Sequence, residues 1–290
     1  IIDIDYPKAY YMKFHYKANY DGEYDNRGIP LLDYKGDIGK QYNPIAISQY
    51  GLGNYNLYLS QNKTKYIQPF FKVADWLVDN LEINRFGIYV WHHYFDFEYR
   101  DKLLSPWYSG LAQGLGISVL ARAYIESKEN KYLEALELAW ASMQKEINDG
   151  GVIYIDNEDN YWIEEYIVHP PTHILNGFIW SLFGVYDYWK LLKNKEAEVL
   201  FNRCIKTIKN NIGEYDTNFW SMYEQSGLRM NMLASPFYHQ LHIIQLEILY
   251  IITNDKIFSD VLQKWKGYKN YRFNRIYSYC HKIIFKLFYY

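Results

Sequence analysis

Residues 107–124, WYSGLAQGLGISVLARAY, carry the strongest sign of the fold. Leu111, Leu115 and Val119 recur every four residues, a period that predicts a helix over residues 107–127. The start of this helix is rich in small residues, which let a second helix approach closely: Gly110, Ala112, Gly114 and Gly116. The stretch therefore predicts a helix suited to close packing against a neighbour.

The same stretch also holds aromatic and polar side chains at its start. Trp107, Tyr108 and Gln113 are of the types that face sugars in carbohydrate-binding proteins. They are equally compatible with plain helix packing. Both interpretations stay open on this stretch alone.

The helical period recurs in pairs along the chain. The first pair begins at Pro44, which suits the first position of a helix, and continues over about residues 67–81. The other predicted helices cover about residues 107–127 and 130–147, 172–192 and 195–210, and 237–253 and 256–266. Predicted hairpins at 85–99 and 150–166, and a loop at 211–235, lie between them. Four helix pairs with their loops at one end predict a mainly α fold, an α/α toroid (an incomplete barrel of helix hairpins) with a cleft at the loop end.

Two segments flank the toroid, which we place at residues 44–268. Residues 1–43 are rich in Tyr, Asp and Gly and predict an extended arm with a hairpin near Tyr20–Asn26. Residues 269–290 predict a basic, aromatic helix, and the stretch 261–290 holds seven Lys or Arg and no Asp or Glu. Such a helix can lie on an anionic membrane, or it can dock on the toroid with its lysines in water.

The composition restricts the classes of function. A net charge of −2 gives no sign of nucleic-acid binding. The 33 tyrosines suit sugar binding, although codon usage in an AT-rich genome also enriches tyrosine. With no apolar run of 18 residues and no signal peptide, we expect a soluble, cytoplasmic protein, with membrane association only through the C-terminal helix.

The sequence predicts no metal and no cofactor. Cys204 and Cys280 lie far apart and form no CxxC pair, so neither a disulfide framework nor a zinc site is expected. His239 and His242 are three residues apart and share a helix face, but an HExxH motif and a third ligand are lacking. Phosphate-binding, dinucleotide-binding and serine-hydrolase motifs are absent as well.

Acid–base chemistry is concentrated at residues 162–177, WIEEYIVHPPTHILNG. Glu165 stands beside Tyr166, and a carboxylate beside a phenol can transfer protons once burial shifts the two pKa values. The alternative is a loop carboxylate that caps the next helix near Thr172.

Together these segments resemble one family, the C-terminal helical domain of D-glucuronyl C5-epimerase. The resembling stretches fall in order between about residues 42 and 268: YNPIAISQYGL (42–52), ADWLV (74–78), WYSGLAQGLGISVLARAY (107–124), WIEEY (162–166), LNGFIWSLFGVYDY (175–188), YDT (215–217), MYE (222–224) and FYHQLHIIQL (237–246).

The resemblance implies roles for individual residues. The catalytic tyrosines correspond to Tyr166, Tyr223 and Tyr238, and the catalytic glutamate corresponds to Glu165. We expect substrate contacts from eight further residues: Gln49, Trp107, Tyr108, Gln113, Asn176, Arg229, His239 and His242.

The implied reaction inverts C5 of D-glucuronate to give L-iduronate within an anionic, uronate-containing polysaccharide, heparosan-like or another surface glycan. A proton leaves C5, next to the carboxylate, and another returns to the opposite face, so two acid–base groups are required and no cofactor. Phenols suit this task if a nearby charge lowers their pKa from about 10. Two alternatives stay open, a polysaccharide lyase acting on uronates and a non-catalytic glycan-binding protein. Dimers are common in the family, so a homodimer is expected.

This chain departs from the animal members in three ways. Leu52 and Ala74 are close in sequence, so the β-rich domain that animal members carry between them is missing. Ser226 stands where they have an arginine, which Arg229 can replace, and Ile244 stands where they have an amide.

Overall fold

The computed structural model describes residues 6–289, except for the side chain of Lys286. Residues 1–5 of the predicted arm and Tyr290 lie outside this range. The long helices are α2 (Pro44–Gln61), α3 (Thr64–Asp79), α4 (Gly110–Ser127), α5 (Asn130–Trp140), α6 (Leu175–Leu192), α7 (Lys195–Asn211), α8 (Pro236–Thr253), α9 (Lys256–Lys269) and α10 (Arg272–Tyr289). A single turn of helix, α1 (His15–Ala18), precedes them.

The helices form the predicted α/α toroid. Each of α2, α4, α6 and α8 packs against the helix that follows it, and α4 also packs against both α2 and α6. Nearly every residue of α4 from Gly110 to Ala123 is buried, whereas α5 buries only one side. Helices that are buried all round belong to the inside of a fold, so α2, α4, α6 and α8 form the inner layer. The outer layer consists of α3, α5, α7 and α9.

Close contact between α4 and α6 depends on glycine. A Cβ at Gly114 would lie 2.4 Å from Cα of Ser181, and a Cβ at Gly184 would lie 2.2 Å from the carbonyl oxygen of Gly114. Because any side chain at these two positions would push the helices apart, Gly114 serves the close helix packing that the sequence predicts. Gly110 and Gly116 instead make room for the Glu164 carbonyl and the Trp91 ring.

An ion pair is buried where the inner helices meet the arm. Arg122 of α4 and Asp187 of α6 are fully buried, with Nη1 and Oδ2 2.6 Å apart. The Tyr11 hydroxyl of the arm donates to the same carboxylate at 2.6 Å. Trp180 of α6 also donates to the sulfur of Met12. These contacts hold the N-terminal arm against the inner layer.

The β structure consists of short pairs at the ends of the helices. The strands are β1 (Glu23–Tyr24), β2 (Pro30–Asp33), β3 (Lys40–Gln41), β4 (Glu82–Ile83), β5 (Tyr89–Val90), β6 (His92–His93), β7 (Phe97–Tyr99), β8 (Asp101–Leu103), β9 (Trp107–Tyr108), β10 (Ile153–Ile155) and β11 (Tyr161–Ile163). The predicted hairpin of β10 and β11 is present with the expected strands. Ile153 lies opposite Ile163 at one end of the pair, and Ile155 lies opposite Tyr161 at the other.

Other sequence predictions need correction. The arm forms a three-stranded sheet of β1, β2 and β3 instead of one hairpin near residues 20–26. Between residues 82 and 108 there are three pairings, β4 with β5, β6 with β9 and β7 with β8, where one hairpin was predicted. Trp107 and Tyr108 pair with His93 and His92 across strands, so α4 begins only at Gly110, with Ser109 as its cap.

The C-terminal helix α10 docks on the toroid through one face. Ser278 and Phe285 are fully buried. No helix within residues 6–289 has both the length and the hydropathy needed to cross a membrane.

Candidate active site

A cavity of about 500 Å³ opens between α2 and α8 and extends to α6. Five of the sequence-predicted site residues line it: Gln49, Glu165, Tyr166, Asn176 and Tyr238. The arm contributes Met12 and residues 14–17 to the same wall. No local pattern in the sequence indicates that the arm belongs to the site, because such patterns do not show where an extended segment will dock.

Two adjacent carboxylates follow β11, and they have different surroundings. Glu164 is 1% exposed and accepts from Nδ1 of His173, 2.6 Å away, and from the backbone N–H of His173 at 3.2 Å. It therefore holds the loop that leads into α6. No side chain among the described residues caps the start of α6, so the alternative of a carboxylate that caps this helix near Thr172 is wrong.

Glu165 instead faces the cavity. It is 5% exposed, and its Oε2 has no hydrogen-bond partner among the described residues. Gly177 of α6 makes room for this oxygen, since a Cβ there would lie 2.1 Å from Oε2. Burial raises the pKa of the Glu165 carboxyl to about 8, although the Tyr166 hydroxyl favours the ionised form. A carboxyl with this pKa can both take and return a proton near neutral pH.

The three sequence-predicted tyrosines cluster around Glu165. Tyr166 and Tyr238 line the cavity, and the ring centroids of Tyr238 and Tyr223 lie 4.8 Å apart. Tyr223 is 7% exposed and lies behind Tyr238, outside the cavity wall.

These phenols are held in their neutral form. Burial, followed by the charge of Glu165, raises the pKa of all three tyrosines. The phenol pKa values are therefore raised, and not lowered as the sequence-based expectation required. Neutral phenols are proton donors, so they are suited to the acid role while Glu165 is suited to the base role.

Aromatic side chains support Tyr166 from the hairpin side. Its ring stacks on that of Tyr99, with 4.4 Å between the ring centroids, and lies tilted against that of Trp107, with 5.9 Å between the centroids. Trp107 is 7% exposed, stacks on His93 at 3.8 Å and donates its indole N–H to the Phe95 carbonyl. Trp107 therefore positions Tyr166 more than it faces the cavity.

A second groove lies on the far side of Trp107. Its volume is about 590 Å³, and it is lined by Trp107 and Tyr108 together with Arg85, His92 and Tyr94. The two sequence-predicted residues Trp107 and Tyr108 thus border this groove and not the cavity of Glu165.

Three other sequence-predicted residues lie in the protein interior. Gln113 exchanges hydrogen bonds of 3.3–3.4 Å with the backbone of Trp91. His239 and His242 are fully buried and lie 2.8 and 3.0 Å from the Ser221 hydroxyl through their Nδ1 atoms. Burial lowers their pKa values to about 4 and about 3, so both imidazoles are neutral. Their placement favours a role in holding the 211–235 loop on α8.

Arg100 contacts Ser226, the residue that stands where the animal family members have an arginine. Its Nη2 donates to the Ser226 hydroxyl at 2.8 Å and to the buried carboxylate of Glu224, which also accepts from the Tyr99 hydroxyl. Arg229 is exposed on its loop and does not line the cavity. Because Arg100 and Glu224 are 124 residues apart, no local pattern in the sequence pairs them.

Within residues 6–289, no three His, Cys, Asp or Glu side chains cluster closely enough to hold a metal ion. The cavity is lined by the Glu165 carboxyl with its unpaired oxygen, by three phenols (Tyr16, Tyr166 and Tyr238) and by four amides (Asn43, Gln49, Asn176 and Gln240), together with His15 and Lys17. This set can move protons and can hydrogen-bond a polyhydroxylated ligand.

Comparisons with known proteins agree with this arrangement. The model of a family described as D-glucuronyl C5-epimerase C-terminus matches residues 85–267. The D-glucuronyl C5-epimerase of Caenorhabditis elegans is 31% identical over 225 residues, which cover 72% of this chain and 36% of that protein. An uncharacterised protein of Methanocaldococcus jannaschii is 31% identical over 180 residues, which cover 61% of this chain and 57% of that protein. The chain thus spans between about one third and three fifths of the length of these relatives.

Among solved structures, the cellobiose 2-epimerase of Spirochaeta thermophila superposes with a TM-score of 0.59 at 9% identity, covering 91% of this chain and 73% of that one. At this identity the likeness concerns the fold alone, and it agrees with the toroid described above.

Proposed function

Since this chain belongs to the family of the D-glucuronyl C5-epimerase C-terminus, we propose that it is a C5-epimerase that converts D-glucuronate into L-iduronate within a polysaccharide. One observation supports this most: the unpaired Oε2 of Glu165 opens on the same cavity as Tyr166 and Tyr238. A base and neutral acids on one cavity are what removal and return of a C5 proton require.

In the proposed mechanism, ionised Glu165 takes the proton from C5 of the uronate. The electron pair of the C–H bond moves toward the neighbouring carboxylate and gives an enolate. A neutral tyrosine hydroxyl then donates a proton to C5 from the opposite face. The resulting phenolate regains a proton from protonated Glu165, directly or through Tyr166, and this restores the resting state. The high pKa of the phenols is no obstacle, because a carbon anion is a far stronger base than a phenolate.

The substrate carboxylate needs donors as negative charge builds on it. Asn176 is 2% exposed and Gln49 is 5% exposed, and both amides line the cavity. Lys17 of the arm lies at the cavity mouth and provides positive charge there. We propose that these groups hold the uronate while its C5 faces Glu165, and that Lys17→Met raises KM more than it lowers kcat.

The experiment is incubation with heparosan in D2O, followed by NMR and mass spectrometry of the uronates. Deuterium at C5 together with iduronate signals is the expected result. We expect Glu165→Gln and Tyr238→Phe to slow the exchange by roughly 10²–10⁴-fold, the usual contribution of a general acid or base. Tyr223→Phe is expected to slow it less, because Tyr223 lies outside the cavity and acts through its contact with Tyr238. Tyr250→Phe is the matched control, because Tyr250 lies 37% exposed on the same helix as Tyr238.

Other outcomes would contradict the proposal in distinct ways. An unsaturated uronate without iduronate would identify a lyase, which shares the first proton removal but then expels the C4 oxygen. Binding of uronate polymers without any exchange at C5 would identify a glycan-binding protein. Full exchange in both Glu165→Gln and Tyr238→Phe would show that the chemistry lies elsewhere.

A further inference from the structure

Helix α10 has two faces with different surroundings. On the inner face, Phe285 is fully buried and packs in a cluster with Tyr99 and Tyr223. Nζ of Lys282 lies 5.4 Å from the ring centroid of Tyr238. The helix therefore covers the outer side of the tyrosine cluster, although it lies beyond the residues 85–267 that match the family.

The outer face of α10 is apolar and exposed. Its large side chains are between 44% and 77% exposed: Phe273, Ile276, Tyr277, Tyr279, Ile283, Ile284, Leu287 and Phe288. These positions are spaced by three, four and seven residues, so they form one stripe along the whole 18-residue helix. An uninterrupted exposed apolar stripe of this length marks a surface that binds something.

Positive charge accompanies the stripe. Arg272 and Arg275 are exposed at its start, and residues 261–290 contain no acidic side chain, although the chain as a whole carries a net charge of −2. Lys269 adds to this charge from the last turn of α9, whereas Lys266 in the same turn is paired with Glu247 at 3.5 Å. The basic and the apolar side chains thus lie on neighbouring strips of one surface.

We propose that the outer face of α10 is a docking surface for an anionic lipid bilayer. The apolar stripe would enter the boundary between headgroups and acyl chains, while the arginines meet the lipid phosphates. A two-fold dimer of α10 on α10 is disfavoured, because residues 261–290 contain no Asp or Glu and so offer the exposed arginines no acidic partner. The proposal is independent of the epimerase activity. If both hold, the Tyr223 side of the protein faces the membrane.

The experiment is vesicle flotation with the full chain. Vesicles of phosphatidylcholine alone are compared with vesicles that also contain phosphatidylglycerol, at low and at high salt. We expect the protein to float with the anionic vesicles and to detach as salt rises, since the arginine contribution is screened. Arg272→Glu with Arg275→Glu is expected to lower binding on the order of tenfold or more. Ile283→Glu with Leu287→Glu is expected to lower it on the order of a hundredfold.

Ile83→Glu is the matched control, because Ile83 of β4 is exposed to a similar degree (59%) but lies away from α10. Each variant is expected to fold, because all the changed side chains are exposed. Far-UV circular dichroism and thermal melting check this. The proposal is overturned if anionic vesicles do not bind the wild-type chain, or if Ile83→Glu weakens binding as much as the α10 variants do. It is also overturned if Ile283→Glu with Leu287→Glu turns a dimer into a monomer in sedimentation while vesicles bind neither form.

Discussion

Replacing Glu165 by glutamine tests the buried carboxyl through its effect on stability. Burial raises the pKa of this group from 4.5 to about 8. The folded chain therefore binds a proton that the unfolded chain has lost between these two pH values. Stability from this group is complete below pH 4.5 and is lost as the pH rises toward 8. Glutamine has nearly the same shape and carries no proton to lose, so Glu165→Gln removes this pH dependence.

The magnitude follows from the two pKa values. Each pKa unit corresponds to about 1.36 kcal/mol, so ionising Glu165 in the folded state costs about 5 kcal/mol in full. Relative to wild type, the free energy of unfolding of Glu165→Gln is expected to rise by about 4 kcal/mol between pH 5 and pH 9. Any effect of the amide itself on packing adds the same amount to the difference in free energy of unfolding at every pH, so it does not change the expected rise.

The assay is urea denaturation of both proteins at pH 5, 7 and 9, with the difference between them taken at each pH. Glu98→Gln is the control, because Glu98 lies exposed on β7 and reports the effect of the same change in water. A difference between wild type and Glu165→Gln that stays within about 1 kcal/mol from pH 5 to 9 would refute the reasoning. It would mean that water or a cation reaches this carboxyl, and that Glu165 is not the tuned base of the proposed mechanism.

Two further predictions concern the packing of the inner helices. Asp187→Ala leaves the Arg122 guanidinium buried without its carboxylate and is expected to lower the free energy of unfolding by about 3–5 kcal/mol. Lys195→Ala, which breaks an exposed pair, is expected to change it by less than about 1 kcal/mol in the same urea titration. Gly114→Ala forces a methyl group against the α6 backbone and is expected to cost about 1–3 kcal/mol or more. As the control, Gly267→Ala places a Cβ that meets no atom within 4 Å and is expected to stabilise α9 by about 0.5–1 kcal/mol. A Gly114→Ala protein as stable as wild type would contradict the close crossing of α4 and α6.

The positions of several candidate site residues follow from short-range patterns. WIEEY places Glu165 and Tyr166 directly after a strand, and FYHQL places Tyr238 in the first turn of α8. The histidines were harder to assign, because His239 and His242 have the same spacing whether they face a ligand or the core. Only the position of Ser221 against both rings distinguishes these alternatives.

By itself, the sequence determined the elements that depend on neighbours along the chain. The 3.6-residue period predicted the helix pairs, Pro44 marked the start of α2, and turn residues defined the hairpin from Ile153 to Ile163. Only the tertiary structure decided what depends on distant segments: the arm against Asp187, Arg100 against Glu224, and α10 over Tyr223. The pKa of Glu165 belongs with these, since burial is a property of everything packed around a group and not of its place in the chain.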